Sequence, residues 1–152
     1  AHGRAKWPRT WSSPYPVPMF EERPDIQERL DGEIVAWMTT VSPAGQPQTS
    51  PVWFLIEEEV FVVYSLAGTP RTRNIAANPR VSLNLNSTPE GGELVIIEGT
   101  AEIVEDGGPA FEDRAYVDKY RGPMADLGMT PESFSADYPV RLHVTPTRLR
   151  AS

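Results

Sequence analysis

Cysteine is absent from the sequence, and its absence excludes disulfides, zinc–thiolate sites and thiol nucleophiles. Histidine is almost as scarce, because only His2 and His143 are present and they lie far apart along the chain. Two distant histidines do not predict a metal site. The sequence also has no apolar run long enough to cross a bilayer and no charged-then-apolar leader segment. We therefore expect a cytoplasmic protein without a metal site.

Common catalytic motifs are missing as well. The sequence has no G-x-S-x-G nucleophile elbow, no P-loop, no H-E-x-x-H helix and no complete G-x-G-x-x-G. Carboxylates are plentiful, but no two of them fall in a pattern that singles out a general acid and a general base. An enzyme with this sequence would depend on a bound cofactor for its chemistry, and the protein would bind and orient that cofactor.

The composition is that of one folded domain with an acidic surface. A chain of 152 residues, of which 39% are hydrophobic and 23% charged, is long and apolar enough to bury a core. A formal net charge of −7 argues against nucleic acid or an anionic membrane as the main partner, because both favour a basic surface. The three arginines within residues 69–86 are therefore a local exception.

Residues 1–24 differ from the rest of the chain. They are rich in proline and serine and show neither helical nor alternating periodicity. Their aromatic residues are Trp7, Trp11, Tyr15 and Phe20. We expect an extended arm that lies along its own chain or along a partner subunit, with a flexible leader as the alternative. Residues 25–152 are predicted to form the cofactor-binding domain.

Periodicity predicts six strands and four short helical segments in that domain. The predicted strands are 33–41, 47–56, 60–65, 80–86, 93–105 and 139–150, with a bulge or bend at Gly99. The predicted helical segments are 24–32, 70–77, 107–122 and 129–138. Strands joined mostly by tight turns indicate a mainly β, α+β domain built as a six-stranded antiparallel barrel.

The arginines at residues 69–86, "TPRTRNIAANPRVSLNLN", are predicted to mark an anion site. Thr69 suits the N-cap of a two-turn helix, and its first turn carries Arg71 and Arg73. Free backbone N–H groups at a helix start and nearby guanidinium groups both favour an anion. The two arginines do not share a helix face, so we expect Arg71 to bind the anion and Arg73 to reach the rim. The alternative is that both pair with surface acids.

The segment "VAWMTTVSPAGQPQTSPVWFLIEEEVFVVYSLAGTPRTRNIAANPRVSLNL" resembles a known family. It is similar to the core of the flavin and deazaflavin oxidoreductases that share the pyridoxamine-phosphate-oxidase fold, the FMN-binding split barrel. The resemblance covers roughly residues 25–148. The "TPRTRN" helix most resembles the branch that uses the deazaflavin coenzyme F420 in place of FMN.

The resemblance implies a set of cofactor-binding residues. These are Met38, Thr39 and Thr40 on the first strand, Thr49, Ser50, Pro51, Val52 and Trp53 on the second, and Arg71, Arg73 and Asn74 on the helix. Arg71 takes the phosphate-holding position, where the family usually has lysine. Two of these residues have an alternative role in packing, Met38 in the core and Trp53 in the core or a subunit interface.

The resemblance also implies an activity and an assembly. The family forms homodimers with cofactor sites at the subunit interface, and the reduced coenzyme passes a hydride to an electron-poor acceptor. An FMN-dependent oxidoreductase, or a carrier of F420 or a tetrapyrrole without turnover, remains an alternative. Candidate proton donors are Tyr64, Tyr120 and His143, without preference, and His143 could instead form a surface pair with Arg141.

Overall fold

An antiparallel sheet forms the centre of the molecule. The structure is a computed structural model that describes residues 19–152, so residues 1–18 of the predicted arm lie outside the described residues. The strands are β1 (Val35–Val41), β2 (Pro47–Trp53), β3 (Leu55–Glu57), β4 (Val60–Ser65), β5 (Arg80–Asn84), β6 (Val95–Val104) and β7 (Val140–Ala151). The helices are α1 (Pro24–Gly32), α2 (Pro70–Ala77), α3 (Arg114–Asp126) and α4 (Pro131–Asp137).

The order of the strands shows that the sheet is curled. Across the sheet the order is β2-β1-β5-β6-β7-β4-β3, so β2 and β3 form its two edges. Only Phe54 separates these two strands along the chain. The edges must therefore approach each other, and the sheet bends into a half-barrel. Strand β3 pairs only with Val60–Val62 of β4. A gap therefore remains between β2 and the end of β4, and we call this gap the split.

The prediction of six strands is wrong, because the predicted strand 47–56 is broken at Phe54. The Phe54 N–H donates to the Tyr120 hydroxyl at 2.7 Å. The Phe54 carbonyl accepts from that hydroxyl at 2.8 Å and from Lys119 Nζ at 3.0 Å. A residue whose backbone groups bond to a helix cannot continue a strand ladder, so β2 ends and β3 pairs elsewhere.

The main core fills the inner face of the curled sheet. Its largest fully buried side chains include Phe20, Leu30, Met38, Phe54, Phe61, Leu83, Ile97 and Leu142. Phe20 lies edge-on to Phe61, with ring centroids 6.2 Å apart, and thereby anchors the chain ahead of α1. Each such side chain contributes about 1.5–3 kcal/mol on full burial, so this face supplies most of the hydrophobic stabilisation.

A second, aromatic cluster covers the outer face of β4. Side chains of α3 and α4 pack there on Val62 and Tyr64. The helical members are Tyr116, Tyr120, Met124 and Phe134. The predicted end of α3 at Gly122 is wrong, since the helix continues through Pro123 to Asp126. Met124 is fully buried in the cluster, and this packing outweighs the cost of an internal proline.

Two local predictions are confirmed. The α2 helix begins after Thr69, whose hydroxyl accepts from the Thr72 N–H at 3.4 Å. The register of β6 with β7 shifts between Glu98 and Gly99, which is the predicted bulge. None of the helices within residues 19–152 combines the length and apolar character that a membrane span needs.

Candidate functional site

Arg71 lies in the first turn of α2 and spans the split. Its Nη1 donates to the Ser65 hydroxyl at the end of β4, at 3.0 Å. Its Nη2 donates to the Ser50 hydroxyl on β2 at 2.5 Å and to the Pro51 carbonyl at 3.4 Å. One guanidinium group therefore connects two strands that are not hydrogen-bonded to each other. We call Arg71, Ser50, Ser65 and the Pro51 carbonyl the arginine cradle.

The arginine cradle has positive charge and no compensating acid within residues 19–152. Arg71 is half-buried, and burial lowers the pKa of its guanidinium. Its Nε is buried and has no hydrogen-bond partner in the described part of the chain. A serine hydroxyl that accepts from Arg71 still has its own O–H to donate. The cradle therefore offers several donors to an oxyanion, and the alternative of pairing with surface acids is not observed there.

Arg73 and Asn74 follow Arg71 on α2 but have different surroundings. Arg73 is exposed, and its Nη1 donates to the Gly68 carbonyl at 2.6 Å. Asn74 is buried, and its Nδ2 donates to Thr40 Oγ1 at 2.9 Å and to Gln48 Oε1 at 2.8 Å. Asn74 therefore ties α2 to β1 and β2, and both of its amide hydrogens are used within the protein.

The site residues expected on β1 and β2 divide between two faces of the sheet. Directly paired residues share a face, and successive residues alternate. Met38, Thr40 and Val52 are buried on the inner face, together with the partly buried Ser50. The outer-face residues are Thr39, Thr49, Pro51 and Trp53. The structure brings Ser50 and Pro51 to Arg71, while Met38 lies in the main core.

Trp53 packs in the aromatic cluster. Its ring stacks on Tyr120, with centroids 4.8 Å apart and planes inclined by 11°, and on Phe134, at 5.5 Å and 12°. It remains partly exposed. In this chain Trp53 therefore joins β2 to the helices α3 and α4, at the point where β2 leaves the sheet.

The three candidate proton donors lie away from Arg71, on the side of the aromatic cluster. Tyr64 precedes Ser65 on β4, so the two side chains lie on opposite faces of the sheet. Burial raises the pKa of Tyr64 to about 12. Tyr120 uses its hydroxyl on backbone groups of Phe54 and Ile34. His143 Nε2 accepts from Arg141 Nε at 2.9 Å, and burial and the Arg141 charge lower the pKa of His143. The hydrogen bonds of these three side chains go to Phe54, Ile34 and Arg141, and none of them goes to a residue of the arginine cradle.

A shallow groove of about 450 Å³ lies on the outer face of the sheet. Its walls include Trp37, Thr49, Asn84, Asn86, Leu94 and Ile96. The Trp37 side chain is 37% exposed, and its Nε1 donates to Asn86 Oδ1 at 2.8 Å. Thr49 links the groove to the site expected on β2, because Thr49 and Pro51 lie on the same face of that strand.

The sheet order, the split and the α2 motif can be compared with known proteins. A family model described as pyridoxamine 5'-phosphate oxidase matches residues 23–151. The chain belongs to the pyridoxamine 5'-phosphate oxidase family. Among curated protein sequences none matches this chain.

Solved structures support the fold of this family member. A protein named F420 reductase is 29% identical, with 88% of this chain and 98% of the other covered and a TM-score of 0.65. A conserved hypothetical protein from Mycobacterium tuberculosis is 22% identical, with 93% and 88% covered and a TM-score of 0.69. HutZ, a heme storage protein from Vibrio cholerae, is 18% identical, with 85% and 93% covered and a TM-score of 0.62.

Two polar residues of this family member were not expected from the sequence. Ser65 bonds to Arg71, and Gln48 bonds to Asn74. Ser65 carries a weak signal, because it is a polar residue that ends the otherwise apolar strand "VFVVYS". Gln48 carries none, since its partner is brought to it only by the docking of α2 on the sheet.

Proposed function

We propose that this chain is an oxidoreductase that uses coenzyme F420 and transfers a hydride from the reduced coenzyme to an electron-poor small organic acceptor. Three observations support the proposal: membership in the pyridoxamine 5'-phosphate oxidase family, 29% identity to a protein named F420 reductase, and the arginine cradle. The missing catalytic motifs agree with a reaction whose chemistry a cofactor supplies.

The arginine cradle is the single observation that carries the proposal. A half-buried guanidinium without an acidic partner among residues 19–152 is costly unless a ligand supplies the negative charge. Hydroxyl groups rather than carboxylates surround it, so its charge is not neutralised in advance. The phosphate of F420 or of FMN has the geometry that an arginine fork and two hydroxyls can bind.

The remaining residues would hold and shield the cofactor. When bound, the reduced deazaflavin supplies a hydride. Arg73 would reach acidic groups from the rim, and the backbone of Thr49–Trp53 would line the ring system. Asn74 would act as a positioning residue that fixes α2 and therefore Arg71. The inward Met38, Thr40 and Val52 would shape the sheet rather than touch the ring, because they are buried.

We also expect two copies of the chain to form a homodimer, with a cofactor site at each end of the interface. The outer face of the sheet offers a half-exposed Trp37 and an open groove, which a second copy would cover. A site completed by the partner would explain why the candidate proton donors of a single chain lie away from Arg71.

Binding titrations test the proposal. Coenzyme F420 and FMN are each titrated, followed by fluorescence, into the wild-type chain, into Arg71→Ala and into Arg23→Ala. Arg23 is a matched control, because it is a surface arginine paired with Asp25. We expect F420 to bind more tightly than FMN, and we expect Arg71→Ala to weaken binding by about 10- to 100-fold, the value of one or two charge-assisted hydrogen bonds.

The other outcomes are equally informative. If FMN binds more tightly than F420, the chain is an FMN-dependent oxidoreductase that uses the same arginine cradle. Tight F420 binding without oxidation of the reduced coenzyme by quinones, enones or tetrapyrroles would indicate a carrier. Equal affinities for wild type and Arg71→Ala, or no binding of either coenzyme, would overturn the proposal.

A further inference from the structure

A charged cluster surrounds Arg141 on the aromatic side of the sheet. Arg141 lies on β7 and its side chain is only 16% exposed. Its Nη1 donates to the Tyr64 hydroxyl at 3.1 Å and to the Gly107 carbonyl at 3.0 Å, and its Nε donates to His143. A Cβ at Gly107 would come within 2.3 Å of Arg141 Cδ, so a larger residue there would displace the Arg141 side chain. The proposed phosphate binding by the arginine cradle uses none of these groups.

Two carboxyl groups share the remaining nitrogen of Arg141. Its Nη2 lies 3.7 Å from Glu57 Oε2 and 4.0 Å from Asp113 Oδ2. Both carboxyl groups face this one nitrogen, so a proton on either of them would allow it to hydrogen-bond to the other. Burial, this hydrogen bond and the Asp113 charge raise the pKa of Glu57 to about 7. A proton on Glu57 therefore avoids placing two carboxylates side by side, and its loss leaves both groups charged next to a single guanidinium.

The cluster connects the sheet to the start of α3. Asp113 is the N-cap of α3, and its Oδ1 accepts from the Tyr116 N–H at 3.2 Å. Glu57 ends β3 and faces Asp113 across the cluster. The attached helix carries Lys119 and Tyr120, which hold Phe54 where the chain crosses from β2 to β3.

Other charged and titratable groups lie near Glu57, but none of those described below does what a proton between Glu57 and Asp113 does. Glu58, next to it in the turn, adds negative charge. On β4 and β7, Tyr64 has a raised pKa and His143 a lowered one, so both are uncharged near neutrality. Glu112 and Arg114 flank Asp113, line the same cavity of about 430 Å³ and carry opposite charges. Within residues 19–152, Arg141 is the cation at ion-pair distance from Glu57, with Nη2 3.7 Å from Oε2.

We infer that Glu57, Asp113 and Arg141 form a pH-operated latch, which holds the start of α3 against the sheet while the two carboxyls share a proton and loosens it when that proton is lost. The folded-state pKa of Glu57 is raised from its ordinary value of 4.5 to about 7. The stabilisation that protonated Glu57 gives to the folded state is therefore complete below pH 4.5, the ordinary pKa of the group. It is lost as the pH rises through about 7. Two adjacent carboxylates then repel each other with one guanidinium between them.

Hydrogen exchange of the full chain tests the latch without any cofactor. Amide exchange of residues 114–126 is measured by mass spectrometry from about pH 5.5 to about pH 8.5, for the wild type and for Glu57→Gln. The exchange rates of the two proteins are compared at each pH, so that the intrinsic pH dependence of exchange cancels. The glutamine amide can donate to Asp113 but does not titrate. We expect the ratio of the wild-type exchange rate to the Glu57→Gln exchange rate to rise by about tenfold across this pH range.

Two further variants make the test decisive. Asp113→Asn keeps an N-cap side chain but removes the charge pair, so its exchange should also lose the pH dependence. Glu112→Gln removes one charge from the same cavity without touching the shared proton, and it should behave like the wild type. A constant ratio of wild type to Glu57→Gln across the pH series, or an equal change in Glu112→Gln, would refute the latch. Neither result depends on the identity of the coenzyme.

Discussion

Tyr116 and Tyr120 differ in the hydrogen bonding of their hydroxyl groups, although the two side chains are equally buried. The two residues lie one turn apart on α3, their rings are 4.8 Å apart, and both are fully buried. The Tyr120 hydroxyl satisfies the backbone of Phe54 and reaches the Ile34 carbonyl. The Tyr116 hydroxyl has no hydrogen-bond partner within residues 19–152. Burial raises the pKa of both, so both remain neutral.

Removing each hydroxyl should therefore have different effects. We expect Tyr120→Phe to lower the free energy of unfolding by about 1–3 kcal/mol, because the buried Phe54 N–H loses its acceptor. We expect Tyr116→Phe to leave that free energy unchanged or to raise it slightly, since it removes an unsatisfied buried group. Urea unfolding of both variants measures the difference. Equal destabilisation by the two changes would contradict the hydrogen-bond assignment.

Two glycines make a similar contrast at the scale of whole elements. Gly99 sits at the bulge where β6 bends against β7, and a Cβ there would lie 2.5 Å from the Thr145 carbonyl oxygen. Gly122 lies inside α3, and a Cβ there would meet nothing within 4 Å. The bulge therefore depends on glycine, whereas the helix only tolerates it.

Alanine at these two positions should shift stability in opposite directions. Gly99→Ala should lower the free energy of unfolding by about 1–3 kcal/mol, because backbone atoms must move apart. Gly122→Ala should raise it by up to about 1 kcal/mol, the helix preference of alanine over glycine. Thermal unfolding compares both with the wild type. A stabilised Gly99→Ala variant would show that the bulge can relax without cost.

The elements differ in how well local sequence predicts them. The helix α2 is predicted to the residue, because Thr69, Pro70 and Asn78-Pro79 are local signals. The break at Phe54 is not predicted, because its cause is Tyr120, which lies 66 residues further along the chain. The same limit applies to the site. Arg71 stands out by its type and spacing, but Ser65 and Gln48 become relevant only through tertiary contacts.

At the scale of the whole molecule, we expect a second copy of the chain to cover the outer face of the sheet. The half-exposed Trp37 and the groove beside it lie on that face. Leu127 is also exposed, at 66%, but it lies at the end of α3. The two residues therefore offer a matched pair for testing whether a second copy covers the sheet.

We expect Trp37→Asp to convert a dimer into a monomer of 16.9 kDa, and Leu127→Asp to leave the dimer intact. A carboxylate in the middle of a buried interface is strongly unfavourable, whereas one at an exposed helix end is not. Light scattering after size-exclusion chromatography gives the masses. A monomeric wild type would contradict the proposed dimer, and dissociation by both variants would contradict an interface centred on Trp37.

The position of the arginine cradle has a kinetic consequence. The β1–β2 and β3–β4 hairpins are local and can form early, whereas the cradle needs β2, β4 and α2 together. Its contacts are therefore expected to be absent from the folding transition state. An anion held there would slow unfolding and leave the folding rate nearly unchanged. A phosphate-bearing ligand would thus lengthen the lifetime of the folded state, and a chevron plot would show this as a shift of the unfolding arm alone.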